Sequence, residues 1–338
     1  MRRFLIVAPN WIGDTLLAQP LAARLHEKFS DAVIDALAPT WTAPVLRRMP
    51  EIEEVIEAPF AHGRLQLGLR WRLARALRAS RYDEAIILPN TFKSALVPFL
   101  AGIPRRVGFR GESRYLLLNV IHRLDKQALP LMADRYAQLA EPPGKSPRRS
   151  PLPTRLNTDE ANLAIAIARL ALDHSQPVVV LCPGAEYGPA KRWPARHFAA
   201  LARALGACGR RVWLIGSPGD RAIGDEIAKA SRGVAINLCG KTDLATAIDL
   251  ISLAEAVVTN DSGLMHIAAA LGRPLVALYG SSSAEHTPPL APARLVSLGI
   301  DCSPCFAREC PLGHFKCMND LAPERVLAEL RIVDPALA

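Results

Sequence analysis

The chain has 338 residues, half of them hydrophobic and 22% charged, with a formal net charge of +9 and a pI near 9.4. That length exceeds one ordinary core and predicts two domains, and the composition excludes an intrinsically disordered chain. The positive balance favours anionic partners, whether nucleic acid, acidic lipid or phosphorylated substrate, without choosing among them.

The chain opens on MRRFLIVAPNWIGD, whose apolar run ends at Pro9 and is too short for a signal-peptide core. No stretch approaches the roughly 20 apolar residues of a membrane span. The sequence therefore reads as cytoplasmic, and its seven cysteines as no disulfide framework. FLIVAP (4–9), AVIDALAP (32–39) and EAIILPN (84–90) have strand length, and TLLAQPLAARLHEKF between the first two has helical spacing. The same rhythm returns after residue 176 in VVVLCPG, RVWLIGS, VAINLCG, AVVTND and PLVALYG, with helices starting near Pro194, Asp220, Thr242 and Ser262. Repeated βα units imply parallel sheets covered on both faces. Between the two series, EPPGKSPRRSPLPTRLNT (141–158) reads as a linker or long surface loop. The fold class is thus α/β with two doubly wound lobes, residues 1–150 and 151–338, and ligands are expected in a cleft between them at the carboxyl ends of the strands.

The loops after the strands carry the chemistry. In APNWIGDT, Gly13 suits a tight turn and Asp14 lies at a helix start, where it reads either as a cap or as a general base. In CPGAEYGPAKRWP, Gly184 and Gly188 allow close backbone approach, and Lys191 and Arg192 bring charge suited to a phosphate or simply to solvent. Neither a Walker A sequence nor G-x-G-x-x-G is present. GSPGDRAIG (216–224) is a weaker glycine-rich signal, in which Asp220 caps a helix or accepts from a ribose hydroxyl. In TNDSGLMHIAAALG, Asp261, Ser262 and Gly263 form the turn into a helix whose first amides suit a phosphate or diphosphate. His266 is one turn further on, facing the same site or serving as a structural hydrogen bonder. Ser262 and His266 have no nucleophile-elbow sequence around them and no third partner, which argues against nucleophilic catalysis.

Taken together, NWIGDTLLAQPL, RMPEI, LPNTFKSALVPFLAGIPRRVGFRGE, CPGAEYGPAKRWP and TNDSGLMHIAAALGRPLVALYG resemble the ADP-heptose:lipopolysaccharide heptosyltransferases, most closely their heptosyltransferase II branch. The resemblance runs through nearly the whole chain, with several separated loops agreeing in order and spacing. It implies a GT-B architecture of two Rossmann-like lobes. It also implies inverting transfer of L-glycero-D-manno-heptose from ADP-heptose to a lipid A–Kdo acceptor that already carries the first inner-core heptose. By the same resemblance Asp14 is the general base, Lys191 a ligand of the donor diphosphate, and Asp261, Ser262 and Gly263 the donor-binding turn with His266 behind it. Asp220 matches an acidic residue near the adenosine ribose, and Gly184 lies in the donor loop. No catalytic cofactor and no nucleic acid are implied. Two other readings share the frame: a transferase for a different nucleotide sugar, and a two-lobed ligand-binding protein without catalysis.

On the acceptor side, Lys93, Arg105, Arg106 and Arg110 lie in or beside loops of the first lobe, where they could meet phosphates of the acceptor. Residues 64–81, RLQLGLRWRLARALRASR, read as a solvated helix packed by its leucines, or as a surface holding the enzyme at the inner face of the cytoplasmic membrane. Cys302, Cys305, Cys310 and Cys317 fall in CSPCFARECPLGHFKC. This pattern suits a structural zinc or iron–sulfur site, with reduced thiols or a redox-sensitive disulfide as the other reading.

Overall fold

The computed structural model describes residues 1–61, 63–145 and 152–337. It divides into two compact units, Met1–Thr154 and Arg155–Ala338. The division falls inside the proline-rich segment 141–158, of which residues 146–151 lie outside the described residues.

In the N-terminal unit, β1 (Arg2–Val7) is followed by helices α1 (Ile12–Leu17) and α2 (Gln19–Lys28), then β2 (Ala32–Ala38), α3 (Ala43–Leu46) and β3 (Glu54–Glu57). The single helix expected between β1 and β2 is broken at Ala18, because Pro20 lacks the N–H that a continuous helix would need there. The chain continues through α4 (Leu67–Leu77), β4 (Glu84–Ile87), α5 (Leu96–Leu100), β5 (Arg105–Phe109), β6 (Val120–His122) and α6 (Met132–Gln138). The strands form one parallel sheet in the order β3-β2-β1-β4-β5-β6. Leu5, Val7, Ala85 and Ile87 on its centre pack with Ala74 and Leu77 of α4 and Leu96 and Val97 of α5.

The C-terminal unit runs α7 (Glu160–Leu170), β7 (Val178–Cys182), α8 (Ala195–Ala207), β8 (Arg211–Leu214), α9 (Arg221–Ala230), β9 (Ala235–Asn237), α10 (Leu244–Ser252), β10 (Ala254–Asn260), α11 (Gly263–Ala270), β11 (Leu275–Leu278), β12 (Arg294–Val296), α12 (Lys316–Asn319) and α13 (Pro323–Val333). Its parallel sheet has the order β12-β11-β10-β7-β8-β9. Every residue of VVVLC in β7 is buried, as a strand covered on both faces requires. Trp193 and Phe198 fill the core under α8.

The order in which strands are added therefore reverses once in each parallel sheet, between β1 and β4 in the first unit and between β7 and β10 in the second. At such a switch point the loops leaving the two central strands diverge to opposite faces and open a crevice at their carboxyl ends.

Candidate active site

At the switch point of the C-terminal unit, the loop after β7 and the turn after β10 are tied together by Asn260. This fully buried side chain donates from Nδ2 to Pro183 O at 2.8 Å and accepts the Trp193 N–H at 3.1 Å. The tie sets Lys191 beside Asp261, with Nζ donating to Oδ2 at 2.5 Å. The pair is 17% and 6% exposed, so the charges interact in a poorly solvated place, and each would be costly there alone. Lys191 also sits over the Tyr187 ring, 5.0 Å from its centroid.

Ser262 holds the N-cap position of α11, but its hydroxyl makes no cap bond to the helix. The first-turn amides of α11, at the positive end of the helix dipole, are thus not taken by Ser262 and can face another acceptor. Asp261 would repel an anion at this turn, and Lys191 neutralises it. One turn further on, His266 is buried, and burial together with Lys191 outweighs Asp261 to push its imidazole down to about 4. It is therefore a neutral ring at physiological pH behind the turn.

Gly184 and Gly188 have steric reasons of their own. A Cβ on Gly184 would stand 2.3 Å from Asp220 Oδ2, and one on Gly188 would stand 2.4 Å from the Arg308 carbonyl oxygen. Asp220 closes a capping box, its Oδ2 accepting from Ser217 N at 2.9 Å and Ser217 Oγ at 2.7 Å, while Oδ1 lies 3.9 Å from Arg192. Its cap reading describes these bonds, and Oδ1 remains as an acceptor beside Gly184.

Arg308 O also accepts the Ala190 N–H at 3.0 Å, and Phe306 O accepts the Tyr187 hydroxyl at 2.9 Å. The cysteine-rich segment therefore grips the loop that carries Lys191. Gly188→Ala is expected to force this contact apart and lower turnover by roughly 100-fold, since a displacement of about 1 Å suffices for that. Steady-state kinetics alongside a thermal melt checks it, the melt separating loop displacement from global unfolding.

Cys302, Cys305, Cys310 and Cys317 of the same segment are free thiols around one small pocket, with Ala190 and Ser281 in its wall. Phe315 N–H points at Cys310 Sγ at 3.4 Å, and such amide contacts pull the Cys310 thiol below its usual range. Among the described residues, no three His, Cys, Asp or Glu side chains are arranged to hold a metal ion. Of the two readings of this pattern, the zinc or iron–sulfur centre is thus not preformed among the described residues.

In the N-terminal unit, Asp14 stands in the first turn of α1, after the central strand β1. The cap position itself belongs to Trp11, which makes no side-chain cap bond. Asp14 is close enough to the buried Tyr136 of α6 to help, after burial, to hold that phenol protonated. A cavity opens at the carboxyl ends of β1, β2 and β4, lined among others by Asn10, Trp41, Phe60, Arg70, Lys93 and Ser94. Trp41 is half exposed, and its Nε1 donates to Asn10 O at 2.8 Å.

Lys93 thus faces this cavity, and Arg110 follows β5 at the same edge, its Nε bonded to Tyr115 Oη at 2.8 Å. Arg105 and Arg106 do not join them. The segment RRVGF is strand β5 rather than loop, and both arginines start it, at the opposite edge of the sheet. Arg105 pairs with Glu84 at 3.1 Å, and Arg106 donates to Leu117 O at 2.7 Å and Ile103 O at 2.5 Å. These bonds hold the amino end of the sheet and are remote from the cavity.

Residues 70–316 match the model of glycosyltransferase family 9, the heptosyltransferases. The chain belongs to this family. It is 45% identical to lipopolysaccharide heptosyltransferase 2 of Escherichia coli K12 over 97% of both chains. It is 42% identical to lipooligosaccharide heptosyltransferase 2 of Haemophilus influenzae over 96% of this chain and 97% of that one. The solved structure of the E. coli ADP-heptose lipopolysaccharide heptosyltransferase II superposes with a TM-score of 0.88 at 43% identity, covering 98% of each chain. The two parallel sheets are thus the two Rossmann-like lobes of a GT-B glycosyltransferase. In this family 9 glycosyltransferase, Asn260, Tyr187 and Trp41 also shape these loops and carry no motif of their own. Asn260 alone left a signal, an amide side chain that with Thr259 closes the apolar run AVV of β10.

Proposed function

We propose that this chain transfers L-glycero-D-manno-heptose from ADP-heptose, with inversion, to the first heptose of a lipopolysaccharide inner core carried on lipid A and Kdo. It would work peripherally at the inner face of the cytoplasmic membrane. The observation that carries the reading is the neutralised Lys191–Asp261 pair beside the uncapped start of α11, in a chain of heptosyltransferase 2 sequence.

In the proposed reaction the acceptor hydroxyl oxygen attacks the anomeric carbon as Asp14 takes its proton. The bond from that carbon to the phosphate oxygen breaks, and ADP leaves with the electron pair. Negative charge grows on the leaving diphosphate, where Lys191 and the first amides of α11 stabilise it. One in-line displacement inverts the centre, so neither a covalent nucleophile nor a second carboxylate is needed. Asp220 Oδ1, beside Gly184, is assigned to the ribose side of the donor, and Lys93 and Arg110 to the acceptor. Arg105 and Arg106 are left to the sheet. The charges present suffice for this step without a cofactor.

Titration calorimetry with ADP-heptose and with UDP-sugars tests the donor assignment. Binding of ADP-heptose at least about tenfold tighter, near 1.4 kcal/mol, is expected. Preference for a UDP-sugar would overturn it.

A further inference from the structure

We infer that the outer face of α4 and α5 in the N-terminal unit seats on an anionic lipid bilayer. This deepens the reading above, in which the acceptor is lipid-anchored. Across residues 59–82 and 85–111 there are ten lysines and arginines and no aspartate or glutamate. These two segments contain α4, α5 and β5. Arg70 is buried and Arg105 is engaged by Glu84, but Arg64, Arg72, Arg75, Arg78 and Arg81 are all exposed.

Large apolar side chains are exposed among them. Leu67 and Trp71 are 55% and 50% accessible, and Phe99 of α5 is 42% accessible. Leu67, Trp71 and Arg75 follow each other at four-residue spacing, hence along one stripe of α4. That stripe is opposite in purpose to Ala74 and Leu77, which enter the core. The guanidinium of Arg75 lies 5.7 Å from the Trp71 ring centroid and that of Arg106 lies 5.5 Å from the Phe99 ring. Arg78 Nη2 donates to Leu100 O at 3.0 Å and joins the ends of the two helices.

Aromatic rings and leucines among exposed arginines, which outnumber the flanking acids Asp83, Glu84 and Glu112, match the boundary of headgroups and acyl chains: the rings and leucines sit at the acyl edge, and the cations meet phosphates. A nucleic acid would satisfy the charge but not the exposed Leu67. The placement also serves the reaction. Arg70 of α4, Val97 of α5 and Lys93 just before it line the cavity at the carboxyl edge of the sheet, so the helices that would touch lipid also wall the place assigned to the acceptor sugar.

The test is co-sedimentation of the full chain with phosphatidylcholine vesicles with and without phosphatidylglycerol. Transfer to a core oligosaccharide freed of lipid is measured in parallel. Expected are binding to the phosphatidylglycerol vesicles alone, weakening with salt, and at least about tenfold loss in Arg72→Glu/Arg75→Glu. Leu67→Ser/Trp71→Ser should also lose binding. Both variants should keep the parent's transfer to the lipid-free acceptor. A parent that transfers heptose but ignores the vesicles overturns the surface and leaves the function standing. Vesicle binding that neither variant weakens, or that duplex DNA displaces in preference, likewise overturns it. Vesicle binding without transfer would leave the surface and remove the function.

Discussion

Lys191→Ala should lower kcat by about 100- to 1,000-fold, the loss seen when one preorganised donor to a developing anion is removed. Affinity for the donor should fall with it, because Lys191 neutralises Asp261 in the ground state as well. The substitution strands a buried carboxylate, at a cost of about 3–5 kcal/mol for a broken buried pair, so a fall in activity alone would be ambiguous. The double variant Lys191→Ala/Asp261→Asn resolves this. Removing the orphan charge should restore most of the lost thermal stability and part of the donor affinity, but not kcat. Turnover that returns with stability would mean that Lys191 serves the fold and not the leaving group.

Asp14→Asn should lower kcat and kcat/KM together by about 100- to 10,000-fold, as expected for a base that acts only in the transition state. The amide is nearly isosteric, so α1 and its neighbour Tyr136 should be undisturbed. Donor affinity by calorimetry should be unchanged, because every residue assigned to the donor lies in the other unit. This separates the two variants: one loses donor stabilisation, the other only the proton acceptor. Near-normal turnover in Asp14→Asn would remove Asp14 as base.

How much of this was legible in the sequence depended on where each residue falls relative to an apolar run. VVVLC and AVVTN are strands buried on both faces, so their ends were easy to locate, and the loops after them could be searched for Lys191, Asp261 and Ser262. Asp14 was accessible in the same way after FLIV. RRVGF hid its nature because two of its five residues are arginines, and only the ladder partners on β4 and β6 make it a strand. With it went the placement of Arg105 and Arg106, since a loop and the amino end of a parallel strand are at opposite edges of the sheet. The grip of the cysteine-rich segment on the loop that carries Lys191 was not legible at all. It is made by the carbonyl oxygens of Phe306 and Arg308, and every residue type carries that group. The cysteine spacing matches a metal-ligand pattern, whereas the contacts to the loop that carries Lys191 run through the neighbours of the cysteines.

The purified chain is incubated with ADP-heptose and a truncated core acceptor bearing a single heptose, and the product is read by mass spectrometry. Gain of one heptose residue by the acceptor, with release of ADP and loss of the signal in Asp14→Asn, is the predicted result. An unchanged acceptor while ADP-heptose binds, or efficient transfer from a different nucleotide sugar, would contradict it.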